Sequence, residues 1–290
     1  VAVNTVFIQA GLPERVAAEG PNSPADVLMT VDIGNLIDLV DAGVTQPVRS
    51  QALAAAIPAN MRDPGGNWFA LSMRARVLYA SKDRVDINAF TYEGLADPRW
   101  KGKVCIRSGQ HPYNTALFAA YIAKHGAAAA ETWLAAVKDN LGRKAGGGDR
   151  DVARDILGGL CDIGLANSYY VGLMRSGAGG PDQEAWGAAI KVILPTFAGG
   201  GTHVNVSGAA VAKHAPNRDN AVRFLEFLVS DQGQELYAHA NFEYPVKPGV
   251  MADPIIASFG ALQPDPMPLA EIAAHRKTAS QLVDKVGFDN

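Results

Sequence analysis

Two long extended segments constrain the fold of this chain more than any other feature of its sequence. Residues 68–81 and 202–213 each have the length of a strand that crosses between two halves of a molecule. They bracket the middle third of the chain, so this middle part is predicted to be inserted between the two ends. At 290 residues, the chain has also reached the length at which one hydrophobic core tends to divide. The sequence therefore predicts two lobes.

Short apolar strands alternate with helices along most of the chain. Strands are predicted at residues 1–9, 25–30, 103–108, 161–167 and 190–195, and Ala-rich amphipathic helices at residues 113–124 and 127–140. This alternation is typical of an α/β protein with mixed, mostly parallel sheets. Because ligands of such sheets bind beyond the carboxyl ends of strands, a cleft between the lobes is the expected site.

The composition excludes several classes of protein. Hydrophobic residues make up 48% and charged residues 19%, which is ordinary for a globular chain and excludes disordered and fibrous classes. The net charge of −3 means that the chain has no overall positive charge to attract the phosphates of a nucleic acid. The longest uncharged stretch, residues 192–212, contains Pro195 and three consecutive glycines, which disfavour a membrane helix. We therefore expect neither nucleic-acid binding nor membrane insertion.

Three tyrosines closely follow predicted strands and form the sharpest signal of a site. Tyr113 lies five residues beyond the strand ending at Ser108, and Tyr169 and Tyr170 lie two and three residues beyond the strand ending at Asn167. Adjacent side chains converge on one ligand only at a turn or a helix start. Phenolate oxygens suit a hard trivalent cation, whose charge would favour deprotonation. On the residues alone, two half-buried rings, or rings stacked on an organic ligand, account for the same pattern.

Other polar residues near the expected cleft carry weaker signals. His111 is close enough to the first tyrosine to reach the same cleft, although a lone loop histidine is usually solvated, and His203 and His214 are expected to be solvated. Arg74 and Arg76 lie on one face of the first long segment, where an arginine can hold a small anion or form an interlobe salt bridge. The chain lacks a nucleophile elbow, a His-Glu-x-x-His helix and a dinucleotide fingerprint, which disfavours an enzyme.

The cysteines and the first residues of the chain are relevant to the cellular compartment in which the protein works. Cys105 and Cys161 are the only cysteines, each in an apolar run, and such a pair is compatible with two buried thiols or with one disulfide. The chain opens VAVNTVFIQA, without an initiating Met or a basic n-region. We therefore interpret it as a processed or trimmed product whose export signal is not part of the sequence.

Seven short segments occur in an order that is characteristic of one protein family. They are Asn22–Leu28 (NSPADVL), Trp100–Ser108 (WKGKVCIRS), Tyr113–Asn114, Gly147–Asp149 (GGD), Asn167–Tyr170 (NSYY), Gly201–Gly208 (GTHVNVSG) and Tyr244–Val246 (YPV). Together they resemble the ferric-ion-binding periplasmic proteins of bacterial ABC transporters, over essentially the whole chain. The resemblance implies the two-lobed type II periplasmic binding fold, similar to half a transferrin, with a hinge of crossover strands.

The same resemblance implies domain boundaries. Lobe 1 is expected to comprise residues 1–75 and 208–265, and lobe 2 residues 80–203. A C-terminal helix within residues 266–290 is expected to pack back across the lobes.

The family's ligand positions fall on the three tyrosines. By resemblance, Tyr113, Tyr169 and Tyr170 bind Fe³⁺, which is the transported ligand. Arg74 is expected near the metal or near a small synergistic anion such as carbonate, with His111 and Asn167 as further neighbours of the site. Because the phenols must lose protons to bind, iron affinity is expected to fall with pH.

The resemblance also implies the setting in which the protein works. It describes a monomeric periplasmic protein that is not an enzyme and that delivers iron to an inner-membrane ABC permease. Because the periplasm is oxidising, a disulfide between Cys105 and Cys161 becomes the expected form.

The chain departs from the family pattern at its start. Residues 1–9 match the family's second strand, so the first strand, a loop carrying a further ligand and the first helix are expected upstream. Average element lengths put this piece at about thirty residues. The alternative interpretation is that this protein is a variant whose metal site lacks the ligand carried by that loop.

Two other functions stay open on the sequence. One is the same fold binding an organic or oxyanion solute, such as a phosphonate or a polyamine, with the tyrosines stacking or hydrogen bonding. The other is a transferase on a related two-lobed fold.

Overall fold

The computed structural model describes residues 2–290 of the chain. The strands are β1 Val27–Val31, β2 Thr45–Gln46, β3 Phe69–Ser81, β4 Val104–Cys105, β5 Ile163–Asn167, β6 Ile190–Ile193, β7 Val204–Ala212 and β8 Tyr244–Pro245. The α-helices are α1 Leu12–Glu19, α2 Ile33–Asp41, α3 Gln51–Ala56, α4 Pro112–His125, α5 Ala127–Asp139, α6 Asp149–Leu157, α7 Tyr169–Arg175, α8 Pro181–Ala189, α9 Arg218–Leu228, α10 Asp231–Asn241, α11 Pro254–Ala257, α12 Leu269–Ala274 and α13 Arg276–Lys285. Short 3₁₀ helices lie at Gly20–Asn22, Ala59–Met61, Glu93–Ala96 and Pro98–Trp100.

Strand β3 links the two parts of the sheet. Its first half pairs with β7 and β8, and its second half pairs with β5 and β6. Strand β7 also pairs with β1 and β2. Every residue of β3 and of β7 is buried, and apolar residues predominate in both strands although each also contains buried polar side chains. The two long segments singled out in the sequence are these two strands.

The sheet is mixed but not mostly parallel, which corrects the prediction made from the alternation of strands and helices. Within residues 2–290, every ladder that involves β3 or β7 is antiparallel, and only the β4–β5 ladder is parallel. The reason is that most strands pair with one of these two long strands rather than with their neighbour along the chain. Alternation indicates α/β structure, but it does not determine which strand is the pairing partner.

Residues 2–9 do not form the strand predicted over 1–9, and Val1 lies outside the described residues. Val3, Val6 and Phe7 are exposed, Phe7 to 94%. An alternating, β-branched segment becomes a strand only where another strand accepts its hydrogen bonds. Within residues 2–290 no segment does so, and the prediction is wrong for residues 2–9.

The C-terminal segment contains two helices where one was expected. Helix α12 packs against α2 and α4, and α13 packs against α4 and α5. Near the chain end, the Asp289 carboxylate accepts hydrogen bonds from Ser108 Oγ at 2.5 Å and from the Gly109 N–H at 2.6 Å. These contacts hold the loop that leads into α4. None of the helices within residues 2–290 is long and apolar enough to cross a membrane.

Candidate metal centre

Two helices begin at the candidate site, and their first residues include the predicted tyrosines. Helix α7 begins with Tyr169 and Tyr170, and only Ser168 separates it from the end of β5. Helix α4 begins with Pro112, which suits the first helical position because it has no N–H to leave unbonded, and Tyr113 follows. His111 caps this helix, and its Nδ1 accepts a hydrogen bond from the Tyr113 N–H at 3.2 Å. All three tyrosines therefore lie at helix starts, where neighbouring side chains can converge.

The three tyrosine side chains lie together in the structure. The hydroxyl oxygens of Tyr113 and Tyr169 are 3.2 Å apart, and the ring centroids of Tyr169 and Tyr170 are 4.2 Å apart. Each of the three residues is half-buried. The fold thus brings together phenols from two segments that are 56 positions apart in the sequence.

Burial raises the pKa of both Tyr169 and Tyr113 above the ordinary value for a phenol. For Tyr169, the neighbouring Tyr113 and Tyr170 add to this effect. For Tyr113, the hydrogen bond with Tyr169 and the charge of Arg74 oppose it. Both phenols are therefore protonated at neutral pH unless a strong cation is bound. A metal ion is the largest local charge that a protein site can hold.

Arginine side chains contact the tyrosine rings. The guanidinium carbons of Arg74 and Arg107 lie 5.4 Å and 5.0 Å from the ring centroid of Tyr113. Arg150 lies 5.8 Å from the ring centroid of Tyr170. These cations create a positive environment that favours phenolates and small anions.

Sequence reasoning missed two of these arginines. Arg107 follows β4 as the tyrosines follow their strands, and this position is a signal that could have identified it. Arg150 lies in the first turn of α6, and nothing in the sequence pattern marks it.

Arg74 is almost fully buried. Its guanidinium donates hydrogen bonds to Ser207 Oγ at 2.9 Å and to the Val206 carbonyl at 3.0 Å. The Glu243 carboxylate lies 3.5 Å from the same guanidinium. Arg74 is therefore held by β7 and by the segment after α10, while it also contacts the ring of Tyr113.

The other two predicted neighbours of the site lie beside the tyrosines in different ways. His111 contacts the Tyr113 ring edge-on, with centroids 4.4 Å apart. Burial, together with the charge of Arg107, lowers the pKa of His111 to about 4, so it is neutral at pH 7. Asn167 is buried, its Oδ1 accepts a hydrogen bond from Arg76 at 3.2 Å, and its Nδ2 has no hydrogen-bond partner.

The described residues offer no other obvious metal site. Among residues 2–290, no group of three or more His, Cys, Asp or Glu side chains is arranged to hold a metal ion. Cys105 and Cys161 are joined in a disulfide, with Cα atoms 5.8 Å apart, so neither is a free thiol. The chemistry of the donor set is therefore that of phenol oxygens, which match a hard cation.

Comparisons with known proteins agree with this description. The family model for bacterial extracellular solute-binding proteins matches residues 22–257. Iron uptake protein A2 of a Synechocystis species is 44% identical over 280 residues, which cover 96% of this chain and 81% of that protein.

Two solved structures are similar throughout. The Bordetella ferric binding protein has 66% sequence identity and a TM-score of 0.96, and the match covers 100% of this chain and 91% of that chain. A Trichodesmium protein solved in complex with iron and citrate ligands has 41% identity and a TM-score of 0.92, with 96% of this chain and 88% of that chain covered. These matches confirm the predicted two-lobed periplasmic binding fold and the resemblance seen in the sequence. The chain belongs to the family of bacterial extracellular solute-binding proteins.

Proposed function

We propose that this protein captures Fe³⁺ through Tyr113, Tyr169 and Tyr170 and delivers it to an ABC permease. The observation that carries the proposal is the convergence of three phenols, two of them with hydroxyl oxygens 3.2 Å apart, at the starts of two helices. The relatives support the choice of iron, because their names describe iron uptake and ferric binding.

The donor chemistry favours a trivalent ion over a divalent one. Three phenolates would cancel a charge of +3, and hard oxygen ligands suit Fe³⁺ better than softer ions, which prefer Cys or His. The nearby guanidinium groups of Arg74 and Arg107 and the unpartnered Nδ2 of Asn167 are donors that suit a small anion bound beside the metal. Carbonate is one such anion, and the Trichodesmium relative holds citrate together with iron.

The proposed setting is the periplasm, where a monomer would bind iron without catalysing a reaction. Its two lobes would comprise residues 1–75 with 208–265, and residues 80–203, with β3 and β7 as the hinge. The pairing of β3 supports this division, because residues 69–75 pair with β7 and residues 76–81 pair with β5 and β6. Release of iron would then follow protonation, reduction or lobe opening.

The experiment is to load the protein with iron and measure its visible absorption and its metal content. Coordination by phenolates gives a charge-transfer colour, so we expect a coloured wild-type protein and loss of most of this absorption in Tyr169→Phe and Tyr170→Phe. Tyr121→Phe is the matched control, because Tyr121 stacks on Trp133 away from the cluster and should leave the colour unchanged.

Two outcomes would contradict the proposal. One is a colourless wild-type protein at full iron occupancy. The other is native mass spectrometry of the purified protein that shows an organic adduct and no metal under conditions in which added iron does not bind.

A further inference from the structure

We infer that the buried pair of Arg76 and Asp149 is a positioning device that holds the segments carrying Tyr113 and Tyr169–Tyr170 in register before iron arrives. The inference rests on the proposed function, and it concerns residues that do not contact the metal ligands' hydroxyls.

A single guanidinium contacts both tyrosine-bearing segments. Arg76, on β3, donates hydrogen bonds to Asn114 Oδ1 at 2.6 Å and to Asn167 Oδ1 at 3.2 Å. Asn114 directly follows Tyr113, and Asn167 precedes Tyr169 by two residues. The position of each tyrosine segment is therefore set relative to the same side chain.

Asp149 completes the network from the start of α6. Its Oδ2 accepts a hydrogen bond from Arg76 at 2.7 Å and another from the Asn167 N–H at 2.7 Å. Asn114 in turn donates through Nδ2 to the carbonyls of Arg107 and Ser108, both at 3.0 Å. The loop before α4, the start of α6 and the end of β5 are thus joined through buried polar groups.

The burial of this ion pair indicates that it contributes mainly to the positions of its neighbours and little to the net stability of the fold. The side chain of Arg76 is 2% exposed and that of Asp149 is fully buried. At such burial, the desolvation of two charges offsets much of their attraction, so a well-packed apolar pair would stabilise the fold at least as well. A guanidinium, however, directs its hydrogen bonds in a rigid planar fork, which an apolar side chain cannot do.

Positioning of this kind affects binding because a preassembled site loses less conformational freedom when the metal binds. Groups that orient metal ligands without touching the metal typically change metal affinity by about 10- to 100-fold when they are removed. Loss of the pair should therefore weaken iron binding and alter the phenolate-to-iron absorption band, beyond any loss of stability.

The test compares Asp149→Asn with Asp155→Asn in the full chain. Asp155 is the matched control, because it also lies on α6, is buried, and pairs with an arginine, Arg143, at 2.6 Å, but contacts neither tyrosine segment. For each folded variant, we would measure urea unfolding, iron affinity by competition with citrate, and the absorption band per bound iron.

We expect Asp149→Asn to lose about tenfold or more in iron affinity and to show a shifted or weakened band. Asp155→Asn should lose stability and keep the wild-type band. If Asp149→Asn does not fold, Asn114→Ser provides the test, since it removes an acceptor of Arg76 while leaving the ion pair intact.

The inference is overturned if a folded Asp149→Asn or Asn114→Ser protein keeps the wild-type band and affinity. It is also overturned if neither variant folds, because the network would then be a requirement for folding. A wild-type protein that binds iron without a phenolate band would instead refute the proposed function, so the two failures are distinguishable.

Discussion

Buried polar residues are concentrated on one face of β3, where Ser72, Arg74 and Arg76 alternate with apolar residues. Because successive side chains of a strand point to opposite sides, these three share a face. Their partners nevertheless differ: Arg74 contacts β7 and Glu243, whereas Arg76 contacts the loop and helix segments around the tyrosines. Both arginines therefore reach the tyrosine segments, Arg74 through the ring of Tyr113 and Arg76 through Asn114 and Asn167, and Arg74 also bonds to β7.

His203 differs from the solvated loop residue that the sequence predicted. It is 2% exposed, and its backbone N–H donates to the Tyr92 hydroxyl at 3.0 Å. Its Nε2 has no hydrogen-bond partner. Burial, reinforced by the charge of Arg76 and opposed by that of Asp265, lowers the pKa of His203 to about 3. The folded protein therefore resists protonation of this imidazole.

We predict that His203 makes the protein less stable as the pH falls from 6.5 toward 3. Over this range the unfolded chain binds a proton that the folded protein does not, which costs up to about 1.4 kcal/mol of unfolding free energy per pH unit. In His203→Gln this component should disappear, so its stability should fall less steeply between pH 7 and pH 5. Urea unfolding at several pH values measures the slopes. The exposed His214→Gln is the control, and equal slopes for wild type and His203→Gln would refute the prediction.

Among the elements, the short strand β4 and the strand β5 position much of the site. They pair in parallel, and the loops after them lead to Arg107 and to the tyrosine pair. The disulfide joins Cys105 of β4 to Cys161, two residues before β5 begins. It therefore ties the two strands at the end of β5 that lies away from the tyrosines.

We predict that the disulfide stabilises this part of the molecule without contributing to the metal ligands. For a separation of 56 residues, loop-closure entropy gives a stabilisation of up to about 4 kcal/mol. The double variant Cys105→Ser, Cys161→Ser should lose stability in urea unfolding and keep its iron colour. Alkylation of the unfolded wild type should label two sulfurs only after reduction. Labelling of both without a reductant would show that the bond is absent.

At the scale of the whole molecule, the site depends on contacts between distant segments. The tyrosines come from two helix starts, and the groups that contact or support them come from β3, the residues after β4, β7 and the start of α6. An unfolded chain has no such cluster, so iron should bind the folded state alone. Binding of this kind stabilises a protein by mass action.

We predict that iron raises the midpoint of thermal unfolding. At a free iron concentration one hundred times the dissociation constant, the gain is about 2.7 kcal/mol. Differential scanning calorimetry with and without ferric citrate would measure it, with citrate alone as the control. Tyr169→Phe should show a smaller shift, whereas Tyr121→Phe should behave like the wild type. An unchanged midpoint at verified iron saturation would contradict the prediction.

Local patterns predicted much of this protein correctly. The helices expected at 113–124 and 127–140 correspond to α4 and α5, and the two long extended segments are β3 and β7. The positions of the three tyrosines after strands were read from the sequence, but their convergence on one ligand was favoured over two half-buried rings only by the family resemblance. Chain length and periodicity indicated two α/β lobes, whereas the family resemblance indicated the periplasmic binding fold and the class of ligand.

Tertiary structure decided what depends on residues far apart in sequence. It determined that the sheet is mostly antiparallel, that residues 2–9 have no strand partner, and that His203 is buried. It also determined that Arg76 pairs with Asp149, across 73 positions of the chain. Periodicity shows which face of an element is buried, but the pairing partner of a strand or a charge is set only when distant segments pack together, because burial and hydrogen bonding are properties of the assembled core.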